Sequence, residues 1–123
     1  MSRVLLVLLD GDSWPDRYQA VTVAATAAAL GEKVVVALAF GPLTRWVEGR
    51  FDEGAPPEAA AARVGRLSEA LATARDLGLE VVACDTVVRL AALDPTAARA
   101  RLDRIASLPT LLAEAIEGRV VRF

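Results

Sequence analysis

The sequence predicts an α/β domain built on a mainly parallel sheet, and three observations carry that prediction. Short apolar runs alternate with long alanine-rich stretches. The apolar runs are continuous rather than alternating, as expected for strands covered on both faces. One punctuation of helix end, glycine and strand also occurs twice, as Leu30-Gly31-Glu32-Lys33-Val34-Val35 and as Leu77-Gly78-Leu79-Glu80-Val81-Val82. It reads as two βαβ units in register, not as a repeat family.

The first strand is Val4–Leu9, followed by a turn at Asp10-Gly11-Asp12-Ser13. Ser13 and Asp16 stand at capping-box spacing, and Pro15 falls in the first helical turn, where its missing N–H costs nothing. That helix runs to about Leu30, with Gly31 as the residue past its end. The second strand is Val34–Phe40. The longest loop follows, Gly41–Pro56, with room for a short helix around Leu43–Glu48; structureless loops of this length tend to be functional or mobile. A second helical stretch begins after Pro56-Pro57 and places Val64, Leu67, Leu71 and Ala74 on one face. Gly78 closes it, and the third strand is Leu79–Cys84. A short helix over Thr86–Leu93 is interrupted by Asp94-Pro95. A further helical segment, Thr96–Asp103, precedes a brief strand near Arg104–Ala106. Pro109 opens a last helix with Leu111, Leu112, Ala115 and Ile116 inward, and Arg119–Phe123 closes the sheet. Five strands and about four helices make a flavodoxin-like doubly wound fold.

The length of 123 residues predicts a single domain spanning 1–123. Apolar residues make up 54% and charged residues 24%, enough for a buried sheet and outside disordered compositions. The net charge of −2 gives no electrostatic case for nucleic acid or an anionic membrane as partner. Val4–Leu9 is ended by Asp10, far short of the roughly 20 residues a bilayer span needs, and no signal-peptide cleavage pattern follows. Histidine is absent, which excludes Ser-His-Asp and Cys-His catalysis and every histidine-containing zinc site. Cys84 is the one cysteine, so an internal disulfide and a multi-cysteine metal knuckle are excluded too. The inventory calls for no cofactor and no metal, and a lone thiol fits the reducing cytoplasm.

Ligands of parallel sheets bind beyond the carboxyl ends of the strands, so three connections matter: Asp10–Pro15, Gly41–Pro56 and the turn at Cys84. Cys84 is the strongest nucleophile among them. A helix starting behind it would favour the thiolate, and Arg45, Arg50 or Arg89 would add to that effect. The alternative is a buried, inert thiol, since free cysteines are among the most buried residues. Asp10 and Asp12, spaced D-x-D at a strand end, have the pattern of a Mg²⁺-holding phosphotransferase turn. The later lysine such sites need is missing, and the plainer reading is a turn and helix cap. Trp14 and Trp46 fall in rim segments and either wall a pocket, join an oligomer contact or simply pack.

Leu79-Glu80-Val81-Val82-Ala83-Cys84-Asp85-Thr86 resembles the strand, Ala-Cys-Ser/Asp-Thr, helix segment of the DsrE/DsrF-like sulfur-relay superfamily. The opening strand, the Ala-Leu-Gly before the second strand, the loop after it and the late Ser107-Leu108-Pro109 helix agree in order and spacing. The resemblance implies a DsrE-like five-stranded sheet, homo- or hetero-oligomers, and partner proteins that donate and accept sulfur. In active members it also implies a cysteine that carries sulfur as a persulfide, and Cys84 matches that position. Asp85 and Thr86 would form the first turn facing the thiol, with Trp14, Trp46, Asp10, Asp12 and Arg45 as further binding residues at the rim. The chain departs from the family twice: Ala91-Ala92-Leu93-Asp94 stands where a glycine usually ends the helix, and the second cysteine of some relatives is missing. Two other functions compete: a non-catalytic oligomeric or small-ligand-binding protein of the same fold with an inert cysteine, and a metal-assisted phosphohydrolase using Asp10 and Asp12.

Overall fold

A computed structural model of the chain describes residues 3–123. Five strands, β1 (Val4–Leu9), β2 (Lys33–Leu38), β3 (Glu80–Ala83), β4 (Arg104–Ile105) and β5 (Arg119–Arg122), form one sheet in the order β4-β3-β2-β1-β5. Every neighbouring pair is parallel. The helices are α1 (Trp14–Ala29), α2 (Phe40–Val47), α3 (Pro57–Ala61), α4 (Leu67–Asp76), α5 (Asp85–Leu90), α6 (Pro95–Arg101) and α7 (Leu108–Glu114). The arrangement is α/β and flavodoxin-like. The chain steps outward from β1 to β4, then returns across the sheet to lay β5 on the free side of β1.

Right-handed crossovers put the helices of the outward steps on one face and the helix of the return step on the other. The side chains divide accordingly. Leu5, Val7 and Leu9 of β1 point into one cluster with Val34, Val36, Leu38, Val81 and Ala83, covered by α1, α2, α4, α5 and α6. Leu6, Val35, Ala37 and Val82 point the other way, into a smaller cluster with Leu111 and Ala115, on and just past α7, flanked by Val4, Leu8 and Ala106. The period of two in each strand thus sorts its residues between a thickly and a thinly covered face.

The local signals at α1 act as expected. The Ser13 hydroxyl accepts the Asp16 N–H at 3.1 Å, and Pro15 lies in the first turn. Gly31 and Gly78 take left-handed conformations, with φ of 89° and 101°, where a side chain would be strained.

Several expectations are corrected. The apolar run of the second strand continues into Phe40, but β2 ends at Leu38 and Phe40 opens α2 with φ of 53°. The short helix expected around Leu43–Glu48 is present as α2, which starts earlier, at Phe40, and takes up the first half of Gly41–Pro56. The stretch after Pro56-Pro57 is two helices broken around Arg63, which has φ of 58°. Arg66, at the start of α4, offers no side-chain cap; Asp52 instead accepts the Ser68 N–H at 3.0 Å and the Ser68 hydroxyl. A cap supplied from so far upstream leaves no mark in the local sequence. In α7 only Leu111 faces the sheet, with Ala115 one turn on. Leu112 and Ile116, expected inward, are 42% and 83% exposed, because α7 has no neighbouring helix to bury its flanks.

Candidate functional site

Leu9, Leu38 and Ala83 are aligned across β1, β2 and β3. One residue further, the chain leaves the sheet at Asp10, Ala39 and Cys84, which therefore share a row at the carboxyl edge. The pairing of Leu8 with Arg122 brings the end of β5 to the same edge. Here a cavity of about 330 Å³ opens between the thin face and the start of α7. Leu8, Ala37, Val87 and Leu111 supply aliphatic wall, Phe40 and Leu108 are partly exposed beside it, and Cys84, Asp10 and Arg122 bring the polar atoms.

Cys84 is half-buried. It precedes α5 with an extended backbone (φ −76°, ψ 136°), and its carbonyl accepts the Val88 N–H at 3.0 Å. Its Sγ lies 3.8 Å from Asp85 Oδ1. Burial pushes the thiol up. The N–H groups of Val87, Leu108 and Thr86, with the Thr86 hydroxyl, more than offset this and hold it below its ordinary value. Leu108 is the first residue of α7, so donors from two helix starts act on one sulfur. The arrangement favours a thiolate without any imidazole.

Arg122 donates to Asp10 twice, from Nε at 3.0 Å and from Nη2 at 2.7 Å. These bonds hold the Asp10 carboxyl below the usual carboxylate range.

The other residues singled out from sequence lie elsewhere. Asp12 accepts from Arg45 Nε at 2.8 Å, and Arg45 also bonds Glu53 at 2.8 Å. Both carboxylates of the D-x-D turn are thus engaged by guanidinium groups and not by each other. Neither tryptophan lines the cavity at Cys84, so neither shelters it. Trp14 stacks on Tyr18, with ring centroids 5.1 Å apart. Trp46 is buried on the thick face, edge-on to Phe51, and its indole N–H donates to the Arg101 carbonyl at 2.7 Å. The turn of α2 that brings Leu43 into the core takes Trp46 with it. Arg89 pairs with Asp85 at 3.6 Å, and Arg50 with Glu48 and Glu53.

Sequence reasoning missed Phe40, Leu108 and Arg122. Arg122 becomes visible only once β5 is known to lie against β1, and Leu108 only once α7 is placed over β1 and β2. For Phe40 no local signal marks the left-handed turn.

Fold and site together define a class: a parallel α/β protein with a half-buried, acidified thiol at a strand-to-helix junction beside an apolar cavity. Two solved structures share the whole architecture. The ychN protein from E. coli matches with a TM-score of 0.67 at 16% identity, over 100% of both chains. MTH1491, a protein of unknown function from Methanobacterium thermoautotrophicum, matches with a TM-score of 0.61 at 13% identity, also over 100% of both chains. At these identities the likeness shows a shared five-stranded α/β fold and nothing about activity. No protein-family profile and no curated protein sequence matches the chain. Among the described residues no helix is long and apolar enough to cross a membrane.

Proposed function

We infer that this protein is a small sulfur carrier, or an accessory of sulfurtransferases, that accepts sulfur as a persulfide on Cys84. The observation that carries the reading is the placement of Cys84: the chain's one thiol, half-buried at an open cavity and acidified by N–H donors from α5 and α7. Sulfur transfer between thiols needs a thiolate nucleophile and no general base, a requirement that a histidine-free chain can meet. The Cys84 thiolate attacks the outer sulfur of a donor persulfide. The donor's S–S bond breaks as the new one forms, and the donor thiolate leaves. Asp85 and Thr86 form the first turn behind the sulfur, and Thr86 supplies part of its donor set.

The reading includes a cytoplasmic setting, assembly with further copies of the chain, and a protein that takes the sulfur onward. It requires neither nucleic acid nor a membrane surface. The exposed Leu112, Ile116 and Val120 on the thin face support the assembly.

The test is intact-mass analysis after incubation with a cysteine desulfurase and its substrate. One added sulfur is expected on the wild type and none on Cys84→Ser. No adduct under conditions that load an established carrier overturns the reading and favours the inert-thiol alternative.

A further inference from the structure

The cavity carries features that sulfur transfer alone does not use. Leu8, Ala37 and Leu111 give it aliphatic walls, while a carboxylate and a guanidinium, Asp10 and Arg122, stand side by side on its lining. The Arg122 side chain is mostly exposed, so solvent screens the pair and its partners exchange at little cost. Aliphatic walls select by size and shape. An anion and a cation held next to each other select in addition for a ligand that carries both charges. Small molecules with that pattern are α-amino acids in their zwitterionic form. An inorganic dianion such as thiosulfate is a poor match, because Asp10 repels it and the aliphatic walls offer nothing in exchange for its water. At about 330 Å³ the cavity lies near the lower end of the range for small-molecule sites.

We propose that this cavity binds an α-amino acid, its carboxylate on Arg122, its ammonium on Asp10 and its side chain along Leu8, Ala37 and Leu111 toward Cys84. Resting on the sulfur-acceptor reading, the donor to Cys84 is then an α-amino-acid persulfide such as cysteine persulfide. The Cys84 thiolate takes the outer sulfur together with its hydrogen. The S–S bond of the donor breaks, one forms on Cys84, and cysteine departs as the thiolate and takes a proton from water. No outside oxidant or reductant enters, because the sulfane sulfur keeps its oxidation level.

The binding claim is tested apart from the transfer. Norleucine, which has no sulfur, is titrated against the rate at which iodoacetamide alkylates Cys84. It is expected to slow alkylation in the wild type and to lose that effect in Arg122→Gln and Asp10→Asn, each variant measured against its own rate without norleucine. Both positions sit at the sheet's carboxyl edge, and circular dichroism checks that each variant is folded. No protection in the wild type, or equal protection in the variants, overturns the proposal. The transfer claim compares cysteine persulfide with the persulfide of N-acetylcysteine methyl ester, which lacks both charges. Loading about tenfold faster from the zwitterion, falling to parity in Arg122→Gln, is expected from losing one charge-assisted contact. Equal loading in the wild type overturns the zwitterion donor while leaving sulfur acceptance intact. Norleucine protection without any sulfur uptake sustains the binding site and overturns the sulfur reading.

Discussion

The two faces of the sheet are built from the same strands and are unlike in everything else. On the thick face, α1 and α4 cross β1 and β2 with Ala20, Ala24, Leu71 and Ala74 buried between them, and Arg17 closes one end. On the thin face, a seven-residue helix covers the strands through one buried side chain, Leu111, with Ala115 just past its end, and a cavity is left open beside it. The difference teaches where chemistry has room. The thick face has a groove too, between α1 and α4, but it is the incompletely covered face that leaves the strand-end thiol within reach of solvent. The contrast implies unequal costs for the same deletion. Leu71→Ala on the thick face should cost about 4 kcal/mol and Leu111→Ala on the thin face about 2 kcal/mol, because a lining already open relaxes into the gap more readily. Urea midpoints at constant m-value measure both. Equal costs would break the comparison.

Arg17 sharpens it from the thick side. The residue is 1% exposed, and its guanidinium donates to the carbonyls of Phe51 and Glu53, the latter at 2.6 Å, with no carboxylate in direct contact. Burial lowers its pKa from the ordinary value, though an arginine remains charged there. It ties down the turn that carries Asp52, and Asp52 caps α4. Arg17→Met keeps most of the apolar stem but strands two carbonyls. The expected loss is about 2–4 kcal/mol, with faster amide exchange at Ser68 as the local sign that the cap has loosened. Unchanged exchange at Ser68 would separate the arginine from the cap.

Much of this was legible in the sequence, and the two faces show why the remainder was not. Continuous apolar runs and the glycines after α1 and α4 gave the strands to within two residues, because those signals are local. Cys84 was visible for the same reason: it is a single residue type at the end of a recognisable strand. The features of the thin face depend on pairing between distant segments. Arg122 reaches Asp10 only through the β1–β5 register, and the exposure of Ile116 follows from the absence of a second helix beside α7, which no periodicity encodes. Residues chosen by loop membership alone, Trp14 and Trp46, packed away from the thiol, since an aromatic in a rim segment buries wherever the nearest core accepts it.

On the thin face itself, Ile116→Ser should leave the stability of an isolated chain within about 0.5 kcal/mol, as for other exposed positions. Sedimentation velocity should in contrast show weaker self-association, if that face meets another copy as proposed. An unchanged sedimentation profile would remove the thin face from the assembly and leave its apolar residues as mere exposure.

The smallest effect concerns ionisation. Because the folded state holds the Cys84 thiol below its ordinary value, the folded chain releases that proton at lower pH than the unfolded chain does. The resulting stability is fully present above the unfolded thiol's pKa and fades as pH falls through the folded one. Relative to Cys84→Ser, wild type should therefore gain stability as pH rises across that window and level off above it. The rate of iodoacetamide alkylation should reach its half-maximum below the ordinary thiol value. Asp85, with Oδ1 3.8 Å from the sulfur, opposes the thiolate as a like charge. Asp85→Asn is thus expected to move the half-maximum lower still, by a fraction of a pH unit at so exposed a carboxylate. A shift upward would mean that Asp85 acts chiefly by holding the first turn of α5, where its negative charge favours the helix start, and that the N–H donors lose their aim without it.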